Sequence, residues 1–540
     1  MKKIMTPGST AVIDPNDAAV SSGIAPATDD QKKLKRLIAR RHPDYEDLIK
    51  HWEFLEDTYE GGREWFKGNI FRYVKEGEGE YNDRIDRCYR FNHSREVVDL
   101  LNKYLFKQHI VRNEVDAPEA VKAFWARATK NGLSIRDFSR QVSKKTSIYG
   151  RIAVVVDNSK KDGGGSVISV ADEKKLDVRT FAYTVGPEQL LDYAYDRDGE
   201  LEWVLIQECV RDDQDPLEST GDETVRYRLW TKIEWRLYEE RKGSGGKKQI
   251  VLADFGFHDL GVVPVILVDN MITDEDYSAP SLIDDIAYLD RAVANYLSNL
   301  DAIIQDQTFS QLAMPAQNVL PGDDNYNTLL KMGTNRIFIY DGESGAQPFF
   351  LSPDPKQAQM ILAVINKIIN EIYHTVGLAG ERTKQDNALG IDNSSGVAKA
   401  YDFERVNALL QAKADSLELF ENKLTRMVAL WNGTKITESF VSYPDNFDTR
   451  GLYDEFDIAA RLMLISAPDS VRQHQMEMVI DKLFPQLAKD LKDKMLSDLK
   501  SWPLDPVQLA ADMAAATAPD QAALQKSQNR DTAKATLSQN

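Results

Sequence analysis

Two long stretches of helical periodicity, separated by a short segment rich in proline and glycine, constrain the fold more than any other feature of this sequence. Apolar residues recur every three or four positions from Leu282 to Ile304, and the pattern returns from Ile361 to Val376. The segment at 305–352 contains proline and glycine breakers. This order predicts a helical hairpin with a small unit at its tip.

The small unit is predicted to contain two short strands, at 336–340 and around 349–351, because both runs are aromatic or β-branched. The apolar stripes of the two helices provide the candidate packing surface, whereas Asp290 falls on the polar side of the first helix. Four stripe residues are selected as packing positions: Leu289, Val293, Ile365 and Ile369. We expect these stripes to be buried.

A polar loop at 380–393 and a long alanine-containing helix follow the hairpin. Ser394 and Ser395 are helix-capping residue types, and the apolar period continues to Trp431. The charged residues of the loop are its candidate contact residues: Glu381, Arg382, Lys384, Asp386 and Asp392. Loop statistics alone leave a functional loop and a plain connector equally open.

The region before the hairpin changes from helical to strand periodicity. It is predicted to be helical to about 147, and a buried strand is predicted over 147–157. Six further strands, separated by short polar turns, favour an antiparallel meander: 190–195, 202–210, 225–232, 234–238, 250–255 and 262–268. A short strand is also expected at 439–443, with helices over 455–500. The predicted fold class is therefore α+β.

Composition excludes several function classes. Across 540 residues, 67 basic and 85 acidic side chains give a net charge of −18, which opposes tight non-specific binding to nucleic acid. No stretch approaches the roughly 20 apolar residues of a membrane span. The residues near the N-terminus form no continuous apolar segment, so they do not indicate secretion. The two cysteines, Cys88 and Cys209, do not form a disulfide framework and favour a reducing compartment.

No motif for catalysis stands out. The glycine-rich run at 243–248 lacks Walker spacing, and the histidines show neither a helical pair nor a His-Glu helix motif. A Gly-x-Ser-x-Gly elbow is also missing from the sequence. We therefore expect no enzyme activity, no metal and no cofactor.

Four segments, taken in order, resemble the portal (head-to-tail connector) proteins of tailed bacteriophages. They are YGRIAVVVD at 149–157, HDLGVVPV at 258–265, SLIDDI at 281–286 and SSGVA at 394–398. The resemblance spans about 52–466 and implies a helix-rich portal fold with an antiparallel β-rich wing, long stem and tunnel helices and a helical crown.

The resemblance also implies a division of the chain. Its parts are a disordered tail at 1–28, the wing at 29–279, a stem helix at 280–304, the clip at 305–352, a second stem helix at 353–379, the tunnel loop at 380–393, the tunnel helix at 394–432, a strand returning to the wing at 433–454, and the crown with a partly disordered tail at 455–540.

In function, the resemblance implies a homo-oligomeric ring, usually of twelve copies, at one capsid vertex of the virion. In such a ring, we expect the stripes of the two stem helices to be buried against neighbouring subunits. Viral double-stranded DNA would be packaged and ejected through its channel, after assembly in the host cytoplasm and without a membrane. Terminase, a head-tail adaptor, the major capsid protein and a scaffold protein are the implied partners. Two alternatives stay open: a packaging-associated nucleic-acid enzyme, such as a terminase or nuclease, and a non-channel virion scaffold protein.

Overall fold

The structure, a computed structural model, describes most of the chain between residues 31 and 500. The described residues are 31–74, 76–158, 179–213, 215, 217–242, 248–274, 277–308, 311–315, 337–340, 347–351, 355–378, 396–444, 447, 469–483 and 489–500. The chain divides into two compact units, Met1–Phe447 and Asp448–Asn540. Each unit is described by itself.

The first unit begins with a helical region. Its helices and one short strand are α1 (Gln31–Ile38), α2 (Tyr45–Glu60), α3 (Arg63–Asn69), α4 (Glu78–Arg87), α5 (His93–Leu105), β1 (Val111–Arg112), α6 (Glu119–Ala126) and α7 (Ile135–Tyr149). Side-chain caps start two of these helices: Asn92 accepts a hydrogen bond from the Arg95 amide at 2.9 Å, and Ser134 accepts one from the Asp137 amide at 3.3 Å. Such caps satisfy amides that have no partner within the helix.

The boundary between α7 and strand β2 (Arg151–Asn158) differs from the prediction of a strand over 147–157. Residues 147–149 belong to the last turn of α7, and Gly150 ends the helix with a φ of +82°. A Cβ at Gly150 would lie 1.8 Å from the Ala279 carbonyl oxygen, so only glycine fits. Apolar residues thus continue across a helix end, which is why periodicity alone placed the strand start too early.

Two antiparallel sheets follow. In the first, β2 lies between β3 (Thr180–Val185) and β9 (Val265–Asp269). The second contains five consecutive strands, each antiparallel to the next: β4 (Leu190–Tyr195), β5 (Leu201–Arg211), β6 (Glu223–Thr231), β7 (Glu234–Lys242) and β8 (Lys248–Phe257). The predicted antiparallel meander is confirmed, since five of its six strands form this sheet. The sixth, β9, pairs instead with β2.

Three long helices complete the first unit. They and their strands are α8 (Asp284–Thr308), β10 (Gln311–Pro315), β11 (Ile337–Tyr340), β12 (Phe349–Leu351), α9 (Pro355–Thr375), α10 (Gly396–Trp431) and β13 (Val441–Ser442). Strand β10, which the sequence did not predict, is parallel to β11 and antiparallel to β12. Strand β13 pairs with β1 in antiparallel register.

One continuous hydrophobic core unites these elements, with side chains from α2, α5 to α10, β2 to β6 and β9. In the second unit, the described residues form α11 (Asp469–Leu483) and α12 (Lys489–Lys500), which contact each other. The fold is therefore mixed helix and antiparallel sheet, and the predicted α+β class is confirmed. None of the helices that the structure describes is long and apolar enough to cross a membrane.

Candidate functional site

The hairpin of α8 and α9 is the first part of the candidate site. Strand β10 follows α8, strand β12 precedes α9, and Gln311 pairs with Leu351 in antiparallel register. The C-terminal end of α8 and the N-terminal end of α9 therefore meet at the same small sheet. The helices contact each other beyond it, so they run antiparallel with the sheet at one end.

The structure brings the four predicted stem-packing residues into one core. Val293, Ile365 and Ile369 are buried there, and Leu289 packs against the same cluster while half-buried. The partners are supplied by this chain, because α5 contacts both helices of the hairpin. The stripes are buried as expected, but their burial does not require a neighbouring subunit, contrary to what we expected from the portal resemblance.

A buried carboxylate lies within the apolar stripe of α8, between Ile286 and Val293. Asp290, expected on the polar side, is fully buried and accepts hydrogen bonds from the amide and the hydroxyl of Ser94 at 3.2 and 2.9 Å. The Arg90 guanidinium lies 4.0 Å from the same carboxylate oxygen and 3.9 Å from the Trp65 ring centroid. These contacts, all to Oδ2 of Asp290, come from residues about 200 positions earlier in the chain and offset part of the cost of burying the charge.

The C-terminal end of α9 is held by α5. The Tyr373 hydroxyl donates to Glu96 at 2.5 Å and lies 3.1 Å from Nδ1 of His93. Past the helix, Gly377 has a φ of +75°, and the Leu378 amide donates to the Tyr373 carbonyl at 2.8 Å. The chain is therefore anchored up to residue 378.

The polar loop lies outside the described residues, which stop at 378 and resume at 396. All five of its candidate contact residues fall in this interval: Glu381, Arg382, Lys384, Asp386 and Asp392. Their roles stay predictions. Most of the segment at 305–352 also lies outside the description, apart from α8's last turn and the three strands.

The long helix α10 is buried on most of its surface between 404 and 431. The predicted apolar positions are buried as expected, from Val406 and Leu410 to Val428. Polar side chains are buried too, among them Lys413, Ser416, Glu421, Asn422 and Thr425. A helix with one buried stripe would expose these residues. Elements of the first unit therefore cover more than one face of α10, and the exposed residues, such as Asp415 and Lys423, form one remaining stripe.

Glu421 is the centre of a buried polar cluster on α10. It forms two hydrogen bonds with Arg112, at 2.9 and 3.0 Å, and accepts one each from Ser139 and Tyr443, both at 2.6 Å. Burial and the adjacent Glu421 carboxylate raise the pKa of Tyr443 well above its usual value. The cluster fixes α10 to β1, to α7 and to the segment after β13. No local sequence signal marked Glu421, since its partners come from distant parts of the chain.

The described residues contain no group of three or more histidine, cysteine, aspartate or glutamate side chains arranged to hold a metal ion. His51 lies 2.9 Å from Asp284, and His93 lies beside Tyr373. These contacts join helices of the same chain.

Comparisons with known proteins give distant likenesses only. The chain matches no model of a known protein family, and no curated protein matches it. Among solved structures, it is similar to a chain in the "Neck of empty GTA particle computed with C6 symmetry", with a TM-score of 0.34 and 10% identity over 74% of this chain and 97% of that one. A chain in the "Virion of native gene transfer agent (GTA) particle" gives a TM-score of 0.35 and 10% identity over the same shares. Both structures are parts of gene transfer agent particles, and likenesses this distant assign neither a fold family nor a function to the chain.

Proposed function

We propose that this chain is a portal-type subunit, which forms a ring around a channel for double-stranded viral DNA at one capsid vertex. The ring would contain about twelve copies, as the resemblance implies, and would act without catalysis or cofactor. Terminase, a head-tail adaptor, the major capsid protein and a scaffold protein are its proposed partners in the virion.

The order of elements around the hairpin is the observation that carries this proposal. A β-rich region is followed by α8, a small three-stranded sheet and the returning helix α9, and then by the 36-residue helix α10. This order corresponds to wing, stem, clip, second stem helix and tunnel helix. The small sheet lies at the end of the hairpin, where it could contact an assembly partner.

The anchoring of the loop ends supports a channel function for the loop. On one side, Gly377 lies close to α10, because a Cβ there would be 3.1 Å from Cβ of Arg405. Farther along α10, the Glu421 cluster fixes this helix to β1 and α7. The helices on both sides of the loop are thus held within one unit, which supports the same placement of the loop in every copy of a ring.

The net charge of −18 supports a channel through which DNA slides. An acidic wall repels the phosphate backbone, so the polymer passes without the counterion release that stabilises tight binding. Within the loop, Arg382 and Lys384 are the cations, and they would touch phosphates briefly.

The contact between subunits would use residues outside the buried stripes. On α9, Met360 is 65% exposed and lies on the side of the helix away from Ile365 and Ile369. Because the side with Ile365 and Ile369 packs on this chain's own core, the side with Met360 is available to a neighbour. We therefore place one side of the subunit interface at Met360.

Native mass spectrometry of the purified full chain tests the proposal. We expect a closed oligomer whose mass is a multiple of 61.0 kDa, and Met360→Glu should shift it toward monomer. Leu217→Glu is the matched control, because Leu217 is 93% exposed in the turn between β5 and β6. A monomer that hydrolyses ATP or cuts DNA would instead identify a packaging enzyme. An open or irregular assembly would indicate a scaffold protein.

A further inference from the structure

Lys413 is a buried lysine in the middle of α10. Its side chain is 1% exposed. Nζ lies 2.6 Å from Oδ1 of Asn270, 2.8 Å from Oγ of Ser147 and 3.3 Å from the Ser143 carbonyl oxygen. These partners belong to α7 and to the residue that follows β9. One amino group therefore joins three separate elements.

The three partners can satisfy Lys413 in either protonation state. The Ser147 hydroxyl lies 2.7 Å from the Ser143 carbonyl oxygen, to which it can donate while accepting from Nζ. An ammonium group then finds three acceptors. If the hydroxyl turns and donates to Nζ, a neutral amine donates to Asn270 and Ser143 and accepts from Ser147. Rotation of one hydroxyl therefore adapts the cluster to the loss or gain of a proton.

No countercharge accompanies Lys413 among the residues that the structure describes. Asp269 at the end of β9 is paired with Arg151 at 2.5 Å, and Asp415 on α10 is exposed. On α7, Lys145 donates to Thr184 at 2.8 Å, and at the start of α8, Asp284 lies beside His51. Burial lowers the pKa of Lys413 to about 7. The folded chain therefore favours the neutral amine at a pH where an exposed lysine is charged.

The partners of Lys413 also hold the segment that leads into α8, residues 277–283, which we call the root of α8. The Asn270 amide donates to the Gly150 carbonyl at 2.7 Å, and the Ser281 hydroxyl lies 3.0 and 2.8 Å from the carbonyl oxygens of Ser147 and Ile148. Gly150 is the residue that admits no Cβ because of Ala279. The contacts of Lys413 are therefore continuous with those that hold the start of the hairpin.

We propose that Lys413 is a proton-controlled latch, which holds α10 against α7 and the root of α8 more tightly when neutral than when protonated, because the buried ammonium has no countercharge beside it. The proton is exchanged with water when the junction opens and Lys413 becomes solvated. The latch does not depend on ring formation, since every contact lies within one chain.

The direction in which pH changes the closure of the Lys413 junction follows from proton linkage. Because the pKa of Lys413 is lower in the closed state than in water, opening binds a proton. Closure should be weakest below about pH 7 and should strengthen as pH rises toward the value near 10.4 of an exposed lysine. For an opening that solvates Lys413 fully, the fraction open should fall about tenfold per pH unit in this window.

Hydrogen exchange of the full chain, measured by mass spectrometry from pH 6 to 9 and corrected for intrinsic exchange rates, tests the latch. We expect protection of residues 147–151 and 277–283 from exchange to rise above pH 7 relative to strand β5. The protection factor should rise by at most about tenfold per pH unit. Lys413→Met should remove this dependence. Lys423→Met, which changes an exposed lysine on the same helix, should retain it.

A second variant keeps the test decisive if Lys413→Met does not fold. Ser147→Ala removes a partner that the ammonium form needs more than the amine does, so the rise in protection should begin at lower pH. An unchanged onset in Ser147→Ala would overturn the proposal. So would equal pH dependence in the parent and Lys413→Met, or a parent whose corrected protection does not change with pH.

Discussion

Replacing Ile369 by alanine separates the stability of one chain from the assembly of a ring. Ile369 is 3% exposed and lies in the core that unites α8, α9 and α10. Truncating a buried isoleucine to alanine removes its transfer free energy and leaves a cavity, at a typical cost of about 2–5 kcal/mol. We expect Ile369→Ala to lower the free energy of unfolding by about 3 kcal/mol.

The matched variant is Met360→Ala, on the outward face of the same helix. Since Met360 is largely exposed in the single chain, its truncation should change the free energy of unfolding by less than about 0.5 kcal/mol under conditions that keep the protein monomeric. Its effect should appear in assembly instead, as a loss of oligomer at a given protein concentration.

Urea unfolding followed by tryptophan fluorescence measures the free energy of unfolding, and sedimentation velocity measures the amount of oligomer. The reasoning fails if Ile369→Ala costs less than about 1 kcal/mol, since a residue so buried cannot be removed at so small a cost. It also fails if Met360→Ala unfolds the monomer, because α9 would then be packed differently.

Three further predictions concern the loop, the small sheet and acid stability. Arg382→Ala combined with Lys384→Ala should leave oligomers intact but impair DNA packaging or retention, measured as the amount of nuclease-resistant DNA. Full-length DNA held as in the parent would contradict a role in the channel, and failure to assemble would make the loop structural. Replacing 323–345 by a short linker should preserve the oligomer and abolish packaging, and normal packaging would exclude this segment as a partner contact. Burial lowers the pKa of His258, so the unfolded chain binds its proton more tightly and stability falls as pH drops below about 6.5. His258→Phe should reduce this loss in urea titrations at pH 7 and pH 5, and an equal loss in both proteins would refute it.

Local sequence patterns predicted those strands and helices that are determined by residues close together in the chain. The meander follows from β-branched runs between polar turns, such as the turn in which Gly199 adopts a φ of +81°. The hairpin helices and α10 were predicted because their apolar residues recur with helical spacing, and the structure buries Val293, Ile365 and Val428 accordingly.

Features that depend on partners far away in the sequence could not be predicted in this way. Asp290, Lys413 and Glu421 are charged residues on helices, and such residues are ordinarily solvated. Each is buried because partners from other parts of the chain reach it: Ser94 for Asp290, Asn270 for Lys413, and Arg112 for Glu421. The end of α7 was misplaced for a related reason, since Gly150 is required by a carbonyl 129 residues later.

Electron microscopy of the purified full chain tests the central proposal most directly. Averaged images should show closed rings with an open central hole, and a reconstruction should place the α8–α9 hairpin and α10 around that hole in every copy. Solid particles, or rings in which these helices lie away from the central hole, would contradict the proposed channel.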